Sequence, residues 1–184
     1  RGCIPTKAIL HSAELFEEMK CAQELGINCE SLSVDYKSVI EHKNKVVERL
    51  RKALELSLKN SGVTSVKAEA CLNSSTEIEA DGEIFKCKNI IAACGSSPRS
   101  LKGMEFDGEF ILNSDDILNR YRLPESIVIV GSGAIGTEWA RIFAAFGVQV
   151  TIVEMAENLL PAADIEVSKR VERIFKKKKI KNNL

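Results

Sequence analysis

Apolar side chains recur at helical spacing over residues 7–25, at Ile9, Leu10, Ala13, Leu15, Phe16 and Met19, and Gly26 follows as a stop signal. The pattern predicts a helix. A second helical stretch, Tyr36–Asn60, carries Val39, Ile40, Val46, Val47, Leu50, Leu54, Leu56 and Leu58 and ends at Ser61-Gly62, with its basic residues expected on a solvated face. Beyond Gly62 the period shortens towards two. Residues 63–72, 76–80 and 83–87 are partly alternating segments separated by Asn73-Ser74-Ser75 and Asp81-Gly82, which predicts an antiparallel meander. Residues 89–94 are a short, mostly apolar run stopped by Gly95-Ser96-Ser97-Pro98, the pattern of a buried strand ending in a tight loop.

Residues 99–124 mix Gly, Asp, Asn and Pro and read as a linker with a short helix over 114–120. Then the pattern sharpens: a buried-strand run over 126–130, a glycine-rich turn over 131–136, a helix over 137–146 and a second strand over 148–154. That succession is a βαβ unit, so the fold class is α/β. The tail, residues 164–181, predicts an amphipathic helix that ends in the lysines at 176–179. No internal repeat interrupts this order.

With 184 residues, 45% of them hydrophobic, the chain has room for one large domain or parts of two. Twenty-six basic residues balance 26 acidic ones, so no overall field favours nucleic acid or an anionic membrane, and neither is expected as a partner. No apolar run approaches the roughly 20 residues of a membrane span. A soluble, cytoplasmic protein is the expectation. The six cysteines, at 3, 21, 29, 71, 87 and 94, have no regular spacing and no C-x-x-C, which suits a reducing compartment better than a disulfide framework. With two histidines, His11 and His42, no zinc ligand set is expected. The chain opens without Met and inside a motif, which predicts further sequence upstream.

The turn Gly131-Ser132-Gly133-Ala134-Ile135-Gly136 lies between a predicted strand and a predicted helix, the context a dinucleotide site needs. The first glycine permits the tight turn and the second lets backbone N–H groups approach a pyrophosphate. The third lets helix and sheet pack closely, and the helix N-terminus favours the negative charge. Glu154 ends the second strand, where a carboxylate accepts from an adenosine ribose 2′-hydroxyl; Met155-Ala156-Glu157 supplies no Arg for a 2′-phosphate, so NAD is expected over NADP. The alternative is a βαβ turn whose glycines serve packing alone.

Cys3-Ile4-Pro5-Thr6-Lys7 sets a cysteine just before a predicted helix, with Pro5 near its first position. A helix N-terminus and a nearby ammonium both favour the anionic, reactive form of a thiol. Taken alone, the cysteine is weak evidence, because a lone cysteine is more often an inert small hydrophobe.

Read together, three stretches resemble one family. Arg1-Gly2-Cys3-Ile4-Pro5-Thr6-Lys7 resembles the downstream half of the redox-active disulfide motif of the dihydrolipoamide dehydrogenase family, among the class I pyridine nucleotide-disulfide oxidoreductases. Cys94-Gly95-Ser96-Ser97-Pro98 resembles the family's Thr-Gly-Ser-x-Pro loop, and residues 131–138 resemble its Gly-x-Gly-x-Ile-Gly-x-Glu nicotinamide turn. The three are collinear and span nearly the whole chain.

The resemblance implies an FAD/NAD(P)-binding three-layer ββα fold made of parts of two nucleotide-binding domains. Residues 1–112 would be the C-terminal part of the FAD-binding domain and 113–184 the N-terminal part of the NAD-binding domain. Cys3 would be the flavin-proximal sulfur of a redox disulfide whose other cysteine lies upstream. Lys7 would sit near the flavin and pair with Glu138. Ala70 and the loop Ala93, Cys94, Gly95 and Ser96 would approach FAD, and Gly131, Gly133, Ala134, Ile135, Gly136, Glu138 and Glu154 would serve NAD. Cys94 stands where the family usually has Thr, which removes any hydroxyl contact there but not the backbone turn.

The implied activity is oxidation of dihydrolipoamide, carried on a lipoyl domain of 2-oxoacid dehydrogenase complexes, with reduction of NAD by way of FAD, in a homodimer. A glutathione or mercuric reductase type, and a nucleotide-binding fragment without turnover, remain alternatives. The family's catalytic histidine belongs to a C-terminal domain outside this chain, and His11 is expected as a helix residue with a polar contact or solvent exposure, without a catalytic role. Trp139 is expected in helix packing, and the lysines at 176–179 on a solvated helix end.

Overall fold

The computed structural model describes residues 2–29 and 31–184; Arg1, which opens the cysteine motif, lies outside them. The described chain is α/β and forms two compact units, one made of Arg1–Glu48 with Lys102–Leu184 and the other of Arg49–Leu101.

In the first unit, α1 (Cys3–Cys21) runs into a 3₁₀ turn (Ala22–Leu25) that Gly26 closes in the left-handed region, with φ 82°. The helix begins four residues before the predicted start. Pro5 falls in the first turn, where a backbone N–H has no intrahelical acceptor, so its missing donor costs nothing. Thr6 lies beside it, its hydroxyl donating to the Gly2 carbonyl at 2.7 Å. Helix α2 (Tyr36–Asn60) has the predicted bounds. One of its basic residues departs from the expected solvated face. Lys43 is buried and donates Nζ to the Leu118 carbonyl at 2.9 Å, at the end of α3 (Ser114–Leu118). Burial pushes its pKa down.

The nucleotide-type unit follows the predicted order: β4 (Ser126–Val130), α4 (Ala134–Ala145) and β5 (Gln149–Val153). Strand β4 pairs in parallel with β5, with Ile127 opposite Val150 and Ile129 opposite Ile152. Helix α5 (Ile165–Lys177) is shorter than predicted, ending where Lys179 turns left-handed (φ 59°) and the Ile180 N–H reaches back to the Phe175 carbonyl at 3.0 Å. The chain then adds a third parallel strand, β6 (Lys181–Asn183), beside β5. Sequence reasoning placed Lys181 in the helix because Lys-Asn-Asn has no apolar period. What holds β6 is its hydrogen-bond ladder and the buried Ile180 before it.

Ile9 and Ala13, one turn apart on α1, are fully buried and share a single core with the buried Trp139, Ala140, Ile142 and Phe143 of α4 and Val150 and Ile152 of β5. Each such large apolar side chain contributes about 1.5–3 kcal/mol of burial. Trp139 packs against Phe143 with ring centroids 5.4 Å apart, the packing role expected of it. The effect on the site is direct. The helix that begins at Cys3 is glued to the helix that begins at the glycine turn.

The second unit holds the end of α2 and an antiparallel meander of β1 (Ala70–Leu72), β2 (Glu77–Ala80) and β3 (Glu83–Lys86) in that spatial order. Asp81 and Gly82 both have positive φ, 51° and 81°, the conformation of a two-residue hairpin turn. Two expectations are corrected. Residues 63–69 are not strand, leaving β1 three residues long, and residues 89–94 form no strand at all, with Ile91 91% exposed. A parallel-type buried strand needs neighbours on both edges and cover on both faces. No described element of this unit supplies them.

Candidate functional site

The glycine turn has the geometry its sequence demands. Gly131 adopts φ 96°, accessible to glycine at little cost, and its N–H donates to the Val153 carbonyl at 2.8 Å, tying the turn to β5. A Cβ built on Gly136 would lie 2.1 Å from the Gly131 carbonyl oxygen and 3.3 Å from Ile129 Cγ2, so only glycine lets α4 approach β4 this closely. Around Gly133 the opposite holds: a Cβ there would meet nothing within 4 Å. Gly133 is also the N-cap of α4 and offers no side chain to its first amides. Those amides, with exposed Ala134 and Ile135 beside them, present an open, electropositive helix end. The residues fit a dinucleotide pyrophosphate: the turn is pinned where it must be tight and open where phosphate oxygens would sit.

Glu154 lies beside that turn. Its Oε2 accepts from the Ser132 N–H and the Ser132 hydroxyl, both at 2.8 Å. Its Oε1 accepts from the amides of Met155 at 2.7 Å and Ala156 at 3.0 Å. The Ser132 amide, then the Ala156 amide and the Ser132 hydroxyl, hold its pKa down at about 2. A fixed carboxylate at this place suits ribose hydroxyls and repels a 2′-phosphate. Ser132, fully buried, went unnoticed in the sequence. The available signal was a small polar residue between the first two glycines, opposite an acid at the end of the next strand.

Cys3 is the first residue of α1 and is exposed, its thiol free. One turn on, Lys7 forms an ion pair with Glu138 of α4, as the resemblance implied. Further along the same two helices, Glu17 accepts from Arg141 and from Lys178, the latter at 2.6 Å. Burial opposes ionisation of Glu17, but the hydrogen bonds from Lys178 and Arg141 outweigh it and its pKa is lowered. Lys178 is therefore an ion-pair partner and not merely part of a solvated lysine run. His11 is exposed, as expected.

The remaining sequence-predicted positions belong to the second unit. Ala70 opens β1, and Ala93, Cys94, Gly95 and Ser96 form an exposed, irregular loop in which Gly95 takes φ 79°. The glycine requirement of that loop is real, and small side chains leave its backbone accessible. Among the described residues no group of three His, Cys, Asp or Glu side chains is placed to hold a metal ion, and no helix is long and apolar enough to cross a membrane.

This is an α/β protein of the FAD/NAD-binding fold class. The model of the pyridine nucleotide-disulphide oxidoreductase family matches residues 1–184, and the chain belongs to that family. It is 40% identical over 181 residues to the dihydrolipoyl dehydrogenase of Chlorobaculum parvum, covering 96% of this chain and 39% of that protein. A dihydrolipoyl dehydrogenase of Bacillus subtilis is 36% identical over 193 aligned residues, covering 98% and 41%. Among solved structures, LpdA from Mycobacterium tuberculosis superposes with a TM-score of 0.85 at 25% identity, over 98% of this chain and 41% of that one. The HOCl-induced flavoprotein disulfide reductase RclA from Escherichia coli gives 0.72 at 25% identity, over 100% and 39%. The chain thus spans about two fifths of the length of the relatives it matches.

Proposed function

We propose that this chain is the central portion of an NAD-dependent dihydrolipoyl dehydrogenase, which oxidises dihydrolipoamide to lipoamide and passes two electrons to NAD. Residues 1–112 then complete an FAD-binding domain and residues 113–184 begin an NAD-binding one. The observation that carries the reading is the Lys7–Glu138 ion pair, because it joins the helix that presents Cys3 to the helix that opens at the dinucleotide turn. The relatives named dihydrolipoyl dehydrogenase support it.

In this reading FAD, when bound, relays electrons between dithiol and nicotinamide. The chain's own residues prepare that exchange. Cys3, at the positive end of α1, supplies the sulfur nearest the flavin, one half of a redox disulfide. Lys7 and Glu138 hold each other in place where the two cofactors meet. Gly131, Gly133, Ala134, Ile135 and Gly136 seat the NAD pyrophosphate, and Glu154 takes the ribose. Ala70 and the loop Ala93, Cys94, Gly95 and Ser96 border FAD with small side chains and backbone. The proposal extends to a homodimer in the cytoplasm whose partner is a lipoyl domain of a 2-oxoacid dehydrogenase complex.

Absorbance spectroscopy of the flavin-loaded protein tests the reading. Two-electron reduction is expected to raise a long-wavelength band from sulfur against flavin, and Cys3→Ser to abolish it. A band that survives the substitution, or a protein that takes up no flavin, overturns the assignment.

A further inference from the structure

The Glu154 carboxylate has about four acceptor directions. In this fold four protein donors occupy them: the Ser132 amide and hydroxyl on Oε2, and the Met155 and Ala156 amides on Oε1. A ribose hydroxyl arriving at Glu154 must take the place of one. Three of the four are backbone N–H groups aimed by the glycine turn and by the end of β5. The fourth turns freely about a single bond.

The backbone of Ser132 is held from its other side as well. Its carbonyl accepts from the Leu160 amide at 3.0 Å, and Leu160 is one of three non-glycine residues with positive φ (51°) among those described. That strained position keeps the segment after β5 against the turn. The turn itself is therefore not the part that yields. Ser132 is fully buried, so its hydroxyl finds no water to donate to once it leaves Glu154.

We propose that the Ser132 hydroxyl is the exchangeable donor on Glu154: it fills the ribose position when no nucleotide is bound and rotates away when the adenosine 2′-hydroxyl arrives. Ser132 is then an affinity-setting residue of the nucleotide site, and its effect is to weaken binding. A buried hydroxyl that gives up its acceptor pays a desolvation penalty, and that penalty is subtracted from the nucleotide's affinity. The inference rests on the reading of Glu154 as the ribose acceptor.

Fluorescence titration of the protein with NADH and with its 2′-deoxyadenosine analogue tests it. The unmodified protein is expected to prefer NADH. Ser132→Ala is expected to tighten NADH roughly threefold to tenfold, the size of one ordinary hydrogen bond, and to change the deoxy analogue by less than about twofold. Ser132→Cys, which keeps the buried volume but donates weakly, is expected to give a smaller gain in the same direction, and guards against a folding defect in the alanine variant. NADH binding that is weaker or unchanged in both variants, or an equal change for the two nucleotides, overturns the exchange while leaving Glu154 its ribose role. An unmodified protein that does not distinguish the nucleotides overturns both.

Discussion

Lys7 of α1 donates its ammonium to the Glu138 carboxylate of α4, across 131 residues of sequence. The pair is not a major stabiliser. Its side chains are 54% and 32% exposed, and such pairs contribute about 0.2–1 kcal/mol. A double-mutant cycle over Lys7→Ala and Glu138→Ala, read by urea denaturation, is expected to give a coupling below about 1 kcal/mol that shrinks as salt is added. Hydride exchange between flavin and nicotinamide, followed by stopped flow, is expected to slow much more in Glu138→Gln, by about tenfold to a hundredfold, because orientation is lost. A coupling above about 2 kcal/mol with unchanged exchange would make the pair structural.

Gly136 and Gly133 separate packing from binding. A methyl group on Gly136 meets the backbone oxygen of Gly131, which no side-chain rotation relieves, so Gly136→Ala is expected to destabilise by about 2 kcal/mol. Calorimetry should show the midpoint falling by about 4–8 °C for a domain of this size. Gly133→Ala adds a methyl group to open space at an ordinary φ of −65° and is expected to leave the midpoint within about 1 °C. Its effect should fall on NADH affinity alone. Equal midpoints for the two variants would mean that α4 does not depend on close approach to β4.

The βαβ unit and α2 were legible because their signals are local: a continuous apolar run, three glycines at fixed spacing, a 25-residue helical period. The expected start of α1 is late because it follows the apolar period from residue 7 onward, whereas the helix takes in Pro5, which its first turn tolerates. Residues 89–94 carry the composition of an interior strand without the flanking strands that would make them one. The polar strand β6 is set by hydrogen bonding to β5, which composition does not encode. In the site, the Lys7–Glu138 pair followed from family resemblance and not from spacing, since nothing local links residues so far apart. The Glu17 contacts to Arg141 and Lys178 and the Ser132 contacts to Glu154 are likewise products of helix and turn packing. Of the Ser132–Glu154 contact, only the acid at the end of β5 is marked in the sequence.

The low pKa of Glu154 ties the integrity of the turn to pH. A carboxyl held at about 2 in the fold, against an ordinary 4.5, adds stability that is fully present above pH 4.5 and is lost as pH falls towards 2. Protonation turns an acceptor of four hydrogen bonds into a group with a donor of its own, so the amides of Ser132, Met155 and Ala156 lose part of their anchor. Other acids contribute to acid unfolding as well, since Glu17 and Asp107 are also held below their ordinary values. The comparison must therefore be a difference. Urea denaturation of the unmodified protein and of Glu154→Gln, run from pH 7 to pH 2, isolates the one group. The variant is expected to be less stable at neutral pH, and the gap to close as pH drops from 4.5 towards 2, because the unmodified protein loses over that window what the variant never had. A gap that stays constant across the window would mean that the Ser132 and Glu154 contacts do not hold the turn in solution.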